Sequence, residues 1–579
     1  MRIDRRRALG LFGAGGLALG ADAVGATVPA PFVDVAFTHG VASGDPQQDR
    51  VILWTRALPT DARQRTATRL SVSVEIGRTP DFSGPVVRRE ATTGSDRDWT
   101  VKVDVDGLKP GEDYWYRFSG GGNGAAPRVF SPVGRTRTLP KSGVRDVVLA
   151  VASCSLHPNG YFNAYRAIAD LDRVDAVLHL GDYLYEYGAA DGDYGMANGK
   201  TLGRIPEPAH EMVTLADYRT RHAQYKADPD LQAAHARAPW IVVWDDHELT
   251  NDAWVGGAQN HQPETEGDWA VRKAAALKAY HEWMPTRETP GRLPEQANRS
   301  FRFGDLATLH MLETRLLART RQLTYDRDLV VSPGPDGTPV PDVAGFRAKL
   351  ADPSRRLLGD GQLAWLEGEL KTSVDAGVVW QIVGNQIVMA RVDGPDVDRA
   401  YGKARVDRAL AGANLPPREA GLAARFRQIF PYRMPLNLDS WDGYPAERER
   451  LYDVLKRTGA RPVVLAGDSH TFWANELADA EGRRVAVEFG ATAISSPAPP
   501  YGPPFLGGRL PGLIRRQNSE VKFCDAGLRG FLLVTLTRRE ARAEMIGVST
   551  TQSRDFETRR VARFRAERQG RGVGPLVRA

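Results

Sequence analysis

The chain has two cysteines, Cys154 and Cys524, and the first follows a run of apolar and small residues in "VVLAVASCSLHPNG". Other chemically capable residues also stand after such runs. "GDYLYEYG" carries Asp182 and Tyr185, and "WDDHELTND" carries Asp245, Asp246, His247 and Asn251. "GNQ" carries Asn385, and "GDSHTFW" carries Asp468 and His470. Taken singly, an aspartate at a strand end is a turn or helix cap. A lone histidine there is a structural hydrogen-bonding residue, and two cysteines invite a disulfide if the chain is exported. Taken together they point to a metal centre, because carboxylates converging from several strands repel one another and lose hydration unless cations neutralise them.

The elements that must position these residues are legible in the hydrophobic pattern. From Asp146 onward, the continuous apolar runs "VVLAVAS", "DAVLHLGD", "WIVVWDD", "VVWQIVGN" and "PVVLAGD" alternate with helical segments such as "DPDLQAAHARA" and "DGQLAWLEGELKTS". Such runs are strands buried on both faces, as in an α/β domain. In open α/β sheets the ligand-binding groups lie just past the carboxyl ends of the strands. Before this region the pattern differs. "RLSVSVEIG", "TVKVDVDGL" and "DYWYRFS" alternate with period two and are separated by Gly, Pro and Asp, which predicts antiparallel strands with one buried face.

We therefore expect a β-sandwich domain over 37–139, "TRTLPKSG" as linker, and a catalytic domain over 146–550. The segments 187–239 and 254–300 are expected at the rim of the site, and "SPAPPYGPPF" is a proline-rich loop. The basic stretch 551–579 is expected to be a C-terminal helix or tail, solvated or lying across the site mouth.

Composition bounds the class. With 579 residues, 42% hydrophobic and 26% charged, the chain is an ordinary globular protein long enough for two domains. No stretch is apolar for long enough to span a bilayer. The opening "MRIDRRRALGLFGAGGLALGADAVGA" reads as a twin-arginine signal over 1–26, with a cationic start, a Gly-rich apolar middle and small residues at Val24 and Ala26. The twin-arginine export machinery is thus an expected partner, and the destination is periplasmic or extracellular. That route carries folded proteins, which suits a metal loaded before export. The net charge of +6 falls to +4 without the four Arg and two Asp of residues 1–26, and basic residues are interleaved with acidic ones. Nucleic acid is therefore not expected as a partner.

The ordered motifs resemble the metallophosphoesterases. "GDYLY" stands at their GDxxY, "DDHE" at GNHE and "GDSH" at GHxH, with Cys154 in the first ligand position. With "GVASGDP", "ILWTR", "LLGDGQLAWL" and "DSWDGYPAER", the chain is similar over nearly its whole length to the PhoD-like alkaline phosphatase and phosphodiesterase family. The resemblance implies an α/β fold: a metallophosphoesterase-type β-sandwich core flanked by helices, preceded by a small all-β fibronectin/Ig-like domain. It also implies that Cys154 is a metal ligand and that the centre holds one Fe³⁺ and two Ca²⁺. Cys154, Asp182, Tyr185 and His470 suit ferric iron. Asp182 as bridge, with Asp246, Asp468 and either Asn251 or Asn385, suits calcium. Asp245 is assigned to the surrounding shell, because the alignment to GNHE selects Asp246.

The expected reaction is in-line hydrolysis of a small phosphate ester by a metal-held hydroxide. His247 is the expected general acid, its ring fixed by Glu248 or a backbone carbonyl. Neither "ASCS" nor "GDSH" has the surroundings of a G-x-S-x-G nucleophile, so no phosphoserine is invoked. Two alternatives stand beside this reading: a phosphodiesterase with a phospholipase-D-like preference, and a non-catalytic exported metal-binding protein.

Overall fold

The computed structural model describes residues 34–65, 69–121, 128–335, 337, 339–413, 417–498 and 509–579. The expected signal segment 1–26 lies outside the described residues, as does most of the proline-rich loop. No helix among the described residues is long and apolar enough to cross a membrane.

Two large sheets form the body. One has ten strands and the other seven. Parallel pairing joins Asp146–Ala152, Ala176–His179 and Trp240–Val242 in the first sheet. In the second it joins Ala307–Met311, Trp380–Gly384, Pro462–Ala466 and Arg484–Gly490. Five of these seven strands are the apolar runs of the sequence, Ala307–Met311 and Arg484–Gly490 are additional, and almost every residue in all seven is buried. One apolar core takes Leu149, Val177 and Ile241 from the ten-stranded sheet and Leu309, Ile382 and Val463 from the seven-stranded one, so the two sheets face each other. A second core packs Leu363, Leu366 and Leu370 of helix Gly359–Asp375, with Leu451 and Leu455 of helix Pro445–Thr458, against Val383 and Val464. The class is thus mixed α/β, with a sandwich core flanked by helices.

The β-rich region at the start of the chain is not a free-standing unit. Four strands, Gly134–Arg137, Asp113–Gly120, Leu70–Gly77 and Val86–Thr93, form the path of a sheet of their own. The strands Val41–Gly44, Val51–Arg56 and Thr100–Val105 instead extend the ten-stranded sheet, joined to it by the pair Trp240↔Gly44. A buried ion pair reinforces this seam. Asp45, 2% exposed, accepts from the Arg287 backbone N–H at 2.7 Å and from Arg299 Nη2 at 2.7 Å.

The expectation of a helix or tail over 551–579 is corrected. Thr558–Gln569 and Gly572–Arg578 are strands at the edge of the ten-stranded sheet. In "RRVARFRAERQ", Ala562, Phe564 and Ala566 are buried and the residues between them are not, a period-two pattern that the abundance of arginine obscures. The segment pairs along its length with Glu540–Val548 and therefore does not lie free across the site mouth.

Candidate metal centre and active site

Four of the parallel strands stop two to four residues before candidate residues that follow them. Cys154 follows Asp146–Ala152, Asp182 follows Ala176–His179, Asp245 and Asp246 follow Trp240–Val242, and Asp468 follows Pro462–Ala466. The loops turn sharply there. Cys154 (φ 63°), Asp182 (55°), Asp252 (54°), Asp468 (58°) and His470 (51°) all adopt the left-handed backbone that side chains other than Gly avoid. Strain gathered at one place is held by its surroundings and marks a functional site. Gly181 (φ +99°) permits the close approach of two of these loops, since a Cβ there would lie 2.4 Å from Cβ of Asp245.

The side chains form four overlapping groups, each with its ligand atoms within 4.8 Å of one another. They are Cys154, Asp182 and His470; Asp182, Asp246 and His247; Asp182, Asp245 and Asp468; and Asp246, Asp252 and Asp439. Asp182 belongs to three of them. Both cysteines are free, so Cys154 is not consumed by a bond to Cys524. Tyr185 joins the first group, donating to Asp182 Oδ2 at 3.1 Å with its oxygen 3.3 Å from His470 Nε2.

Three features show that this donor set fits cations. Asp182 Oδ1, Asp245 Oδ2 and Asp246 Oδ1 are buried with no hydrogen-bond partner, a costly state that a cation relieves. His470 Nδ1 lies 2.8 Å from the Pro497 carbonyl, which can only accept, so Nδ1 carries the proton and Nε2 keeps its lone pair toward Tyr185 and Cys154. Negative charge is also in excess. Burial pushes the Cys154 thiol well up, raises Asp182 and Asp468 far above the carboxylate range, and brings Asp252 to about 7. Burial raises Asp245 to about 6 although Arg315 opposes it, whereas Asp246, also buried, is held at about 2 by Arg315 and His247.

Four residues of the site were not singled out in the sequence. Arg315 follows the strand Ala307–Met311 and is fully buried, bonding Asp245, both oxygens of Asp439 at 2.8 Å, and Asp246 at 3.6 Å. Asp439 opens the motif "DSWDGYPAER", and Asp252 ends "WDDHELTND". Glu186 lies inside "GDYLYEYG" and corrects the expectation for His247. His247 Nδ1 bonds Glu186 Oε2 at 2.7 Å, while Glu248 instead accepts from the backbone N–H groups of Asp182, Tyr183 and Asp245. Glu186 Oε1 accepts from Thr250 Oγ1, the Asn251 N–H and Asn260 Nδ2. Burial alone would lower the pKa of His247, but Glu186, Asp246 and Asp182 outweigh it and raise the pKa well above the usual value. Among the described residues, His247 Nε2 has no hydrogen-bond partner, and the ring lies against Tyr185 with centroids 4.2 Å apart.

Asn251 and Asn385, the two amides expected near the second metal, make hydrogen bonds to neighbouring loops. Asn251 reaches Gln259 with its side-chain amide, and the amide of Asn385 spans Ile387 and Trp441.

A thiol, a phenol, two imidazoles and clustered carboxylates at the strand ends of a two-sheet α/β core make this a candidate metal centre. The sequence signature of the PhoD-like phosphatases matches residues 149–545, and that of the PhoD-like phosphatase N-terminal domain matches residues 23–140. The chain belongs to the PhoD-like phosphatase family. It is 34% identical over 514 residues to alkaline phosphatase D of Bacillus subtilis (strain 168), covering 85% of this chain and 76% of that protein. A solved structure of PhoD superposes with a TM-score of 0.72 at 29% identity, covering 94% of this chain and 92% of that one.

Proposed function

We propose that the chain is an exported phosphatase that hydrolyses small phosphate monoesters ahead of diesters, with one Fe³⁺ and two Ca²⁺. The observation that carries this reading is the overlap of the four donor groups on Asp182 and Asp246, with unpartnered buried carboxylate oxygens at both residues. Cys154, Asp182, Tyr185 and His470 would hold the iron. Asp182, Asp246 and Asp468, with Asp245, Asp252 and Asp439 around them, would hold calcium, since hard cations prefer carboxylate oxygens. When bound, the cations supply charge neutralisation of the phosphoryl oxygens and an acidified water.

The chain's own residues supply the remainder. Arg315 holds Asp245, Asp246 and Asp439 at one place despite their mutual repulsion. Glu186 accepts the Nδ1 proton of His247, so the Nε2 proton of the imidazolium is free for the leaving-group oxygen. The aromatic rings of Tyr185 and Tyr187, at 4.2 Å and 5.5 Å from that of His247, restrict water at the proton-bearing ring. Export by the twin-arginine route, with cleavage after residue 26, is the accompanying proposal, supported by "RRRALGLFGAGGLALG".

The test combines elemental analysis of the mature protein with paired rates on p-nitrophenyl phosphate and its bis ester. Iron and calcium near one and two per chain, with the monoester faster, is the expected result. Two zincs and no iron would require a different ligand assignment, and a diester rate far above the monoester rate would overturn the substrate preference.

A further inference from the structure

Of the proline-rich stretch that begins at Ser496, only the Pro497 carbonyl has entered the chemistry above, yet its first residues run directly behind the metal ligands. Ser495 and Ser496 both direct their backbone N–H toward the Cys154 carbonyl at 3.3 Å. Ser495 Oγ donates to the Leu156 carbonyl at 2.9 Å. The Pro497 carbonyl accepts from His470 Nδ1. Ser496 Oγ lies 2.9 Å from the Cys154 carbonyl and 2.8 Å from the phenolic oxygen of Tyr185. One short segment thus touches Cys154, Tyr185 and His470.

Its anchor is Arg529, which donates through Nη1 to the Ser496 carbonyl at 2.8 Å and through Nη2 to the Ala526 carbonyl. No carboxylate lies within ion-pairing distance of Arg529 among the described residues, so the guanidinium is committed to backbone carbonyls.

The polar neighbours of the Tyr185 oxygen decide what Ser496 does. They are Asp182 Oδ2, His470 Nε2 and Ser496 Oγ. An ionised carboxylate cannot donate, and Nε2 carries no proton because Nδ1 donates to Pro497. Only the serine hydroxyl can give a hydrogen bond to an ionised phenolate. It has a second acceptor in the Cys154 carbonyl, but a hydrogen bond to a charged oxygen is about twice as strong as one to a neutral oxygen. We propose that Ser496 is a positioning residue for the metal centre: its hydroxyl donates to the Tyr185 phenolate and limits that ligand's electron donation, while Arg529 holds Ser496 in place. The proposal rests on the reading of Tyr185 as an iron ligand. Outer partners of this kind orient ligands and tune the metal, and their loss costs about 10- to 100-fold in metal affinity or activity.

The readout is the phenolate-to-Fe³⁺ absorption of the iron-loaded protein, recorded with iron content for the wild type, Ser496→Ala, Ser496→Thr and Arg529→Met. Loss of the donor raises the energy of the filled phenolate orbital, so Ser496→Ala is expected to move the band to longer wavelength. Ser496→Thr keeps the hydroxyl and should keep the wild-type band, and Arg529→Met should shift it in the same direction as Ser496→Ala but less. A band that stays in place in Ser496→Ala at wild-type iron content overturns the proposal. If Ser496→Ala fails to fold or to take up iron, Arg529→Met decides, and an unmoved band there overturns it equally. Iron bound to the wild type without any phenolate band refutes the assignment of Tyr185 itself, and the role of Ser496 with it.

Discussion

Replacing Glu186 by Gln separates the position of His247 from its charge. The three donors on Oε1, namely Thr250, the Asn251 N–H and Asn260, remain satisfied by an amide oxygen. Oε2, 2.7 Å from His247 Nδ1, becomes an NH₂ group. A donor facing Nδ1 forces that nitrogen to accept, so the ring keeps its place and becomes neutral. The interaction lost is a buried charge-assisted hydrogen bond, worth about 1.5–3 kcal/mol. A general acid contributes about 10²- to 10⁴-fold to a reaction that needs one. We therefore expect kcat/KM for an alkyl phosphate, whose alkoxide must be protonated on departure, to fall by about 10²-fold or more. For p-nitrophenyl phosphate, whose nitrophenolate leaves unprotonated, the loss should stay within about tenfold, the lower end of the hydrogen-bond term. The assay is the pair of kcat/KM values for each protein, with thermal melts to confirm folding. Equal losses on both substrates, or none on either, would refute the assignment of His247 as the acid and of Glu186 as its partner.

Two other perturbations test the fold and the charge excess at the site. Asp45→Ala leaves the largely buried Arg299 guanidinium, 15% exposed, without its carboxylate at the seam between the first β-rich region and the main sheet. A loss of about 3–5 kcal/mol in denaturant unfolding is expected, since removing one partner strands the other charge. Chelation should lower stability by about 2.7 kcal/mol if the loaded protein was held at a hundred times the dissociation constant. It should also expose a pH dependence: Asp245 and Asp252 rise from 3.8 to about 6 and about 7 in the fold, so the folded state binds more protons than the unfolded state between those values. Their stabilising contribution is present below about pH 4 and lost as pH rises through 6 to 7. Melting temperatures across that range should fall for the chelated protein and change much less for the loaded one.

Most of the donor set could be read from the chain because the signal is local. A buried parallel strand appears as an unbroken apolar run, and the residues just past its end are the ones a sheet presents to a ligand. That reasoning reaches Cys154, Asp182, Tyr185, Asp245, Asp246, His247, Asp468 and His470, each of which lies within one of the four overlapping groups or is bonded to one. It does not reach Asp439, which follows no strand, nor Arg315, whose type differs from the acids being sought. The edge strands at the end of the chain were obscured for a related reason, since "RRVARFRAERQ" has too few large apolar residues for its alternation to be evident.

The sequence by itself determined which strands are buried, where their loops begin, and which metal-binding groups those loops carry, because each depends on neighbours within a few positions. Only the tertiary structure decided which of those groups meet and what holds them. His247 pairs with Glu186 across 61 positions, Arg315 with Asp439 across 124, and Ser496 with Tyr185 across 311. Hydrogen bonds and ion pairs act over a few ångströms in space, so such partners are selected by how the two sheets pack and not by any pattern along the chain.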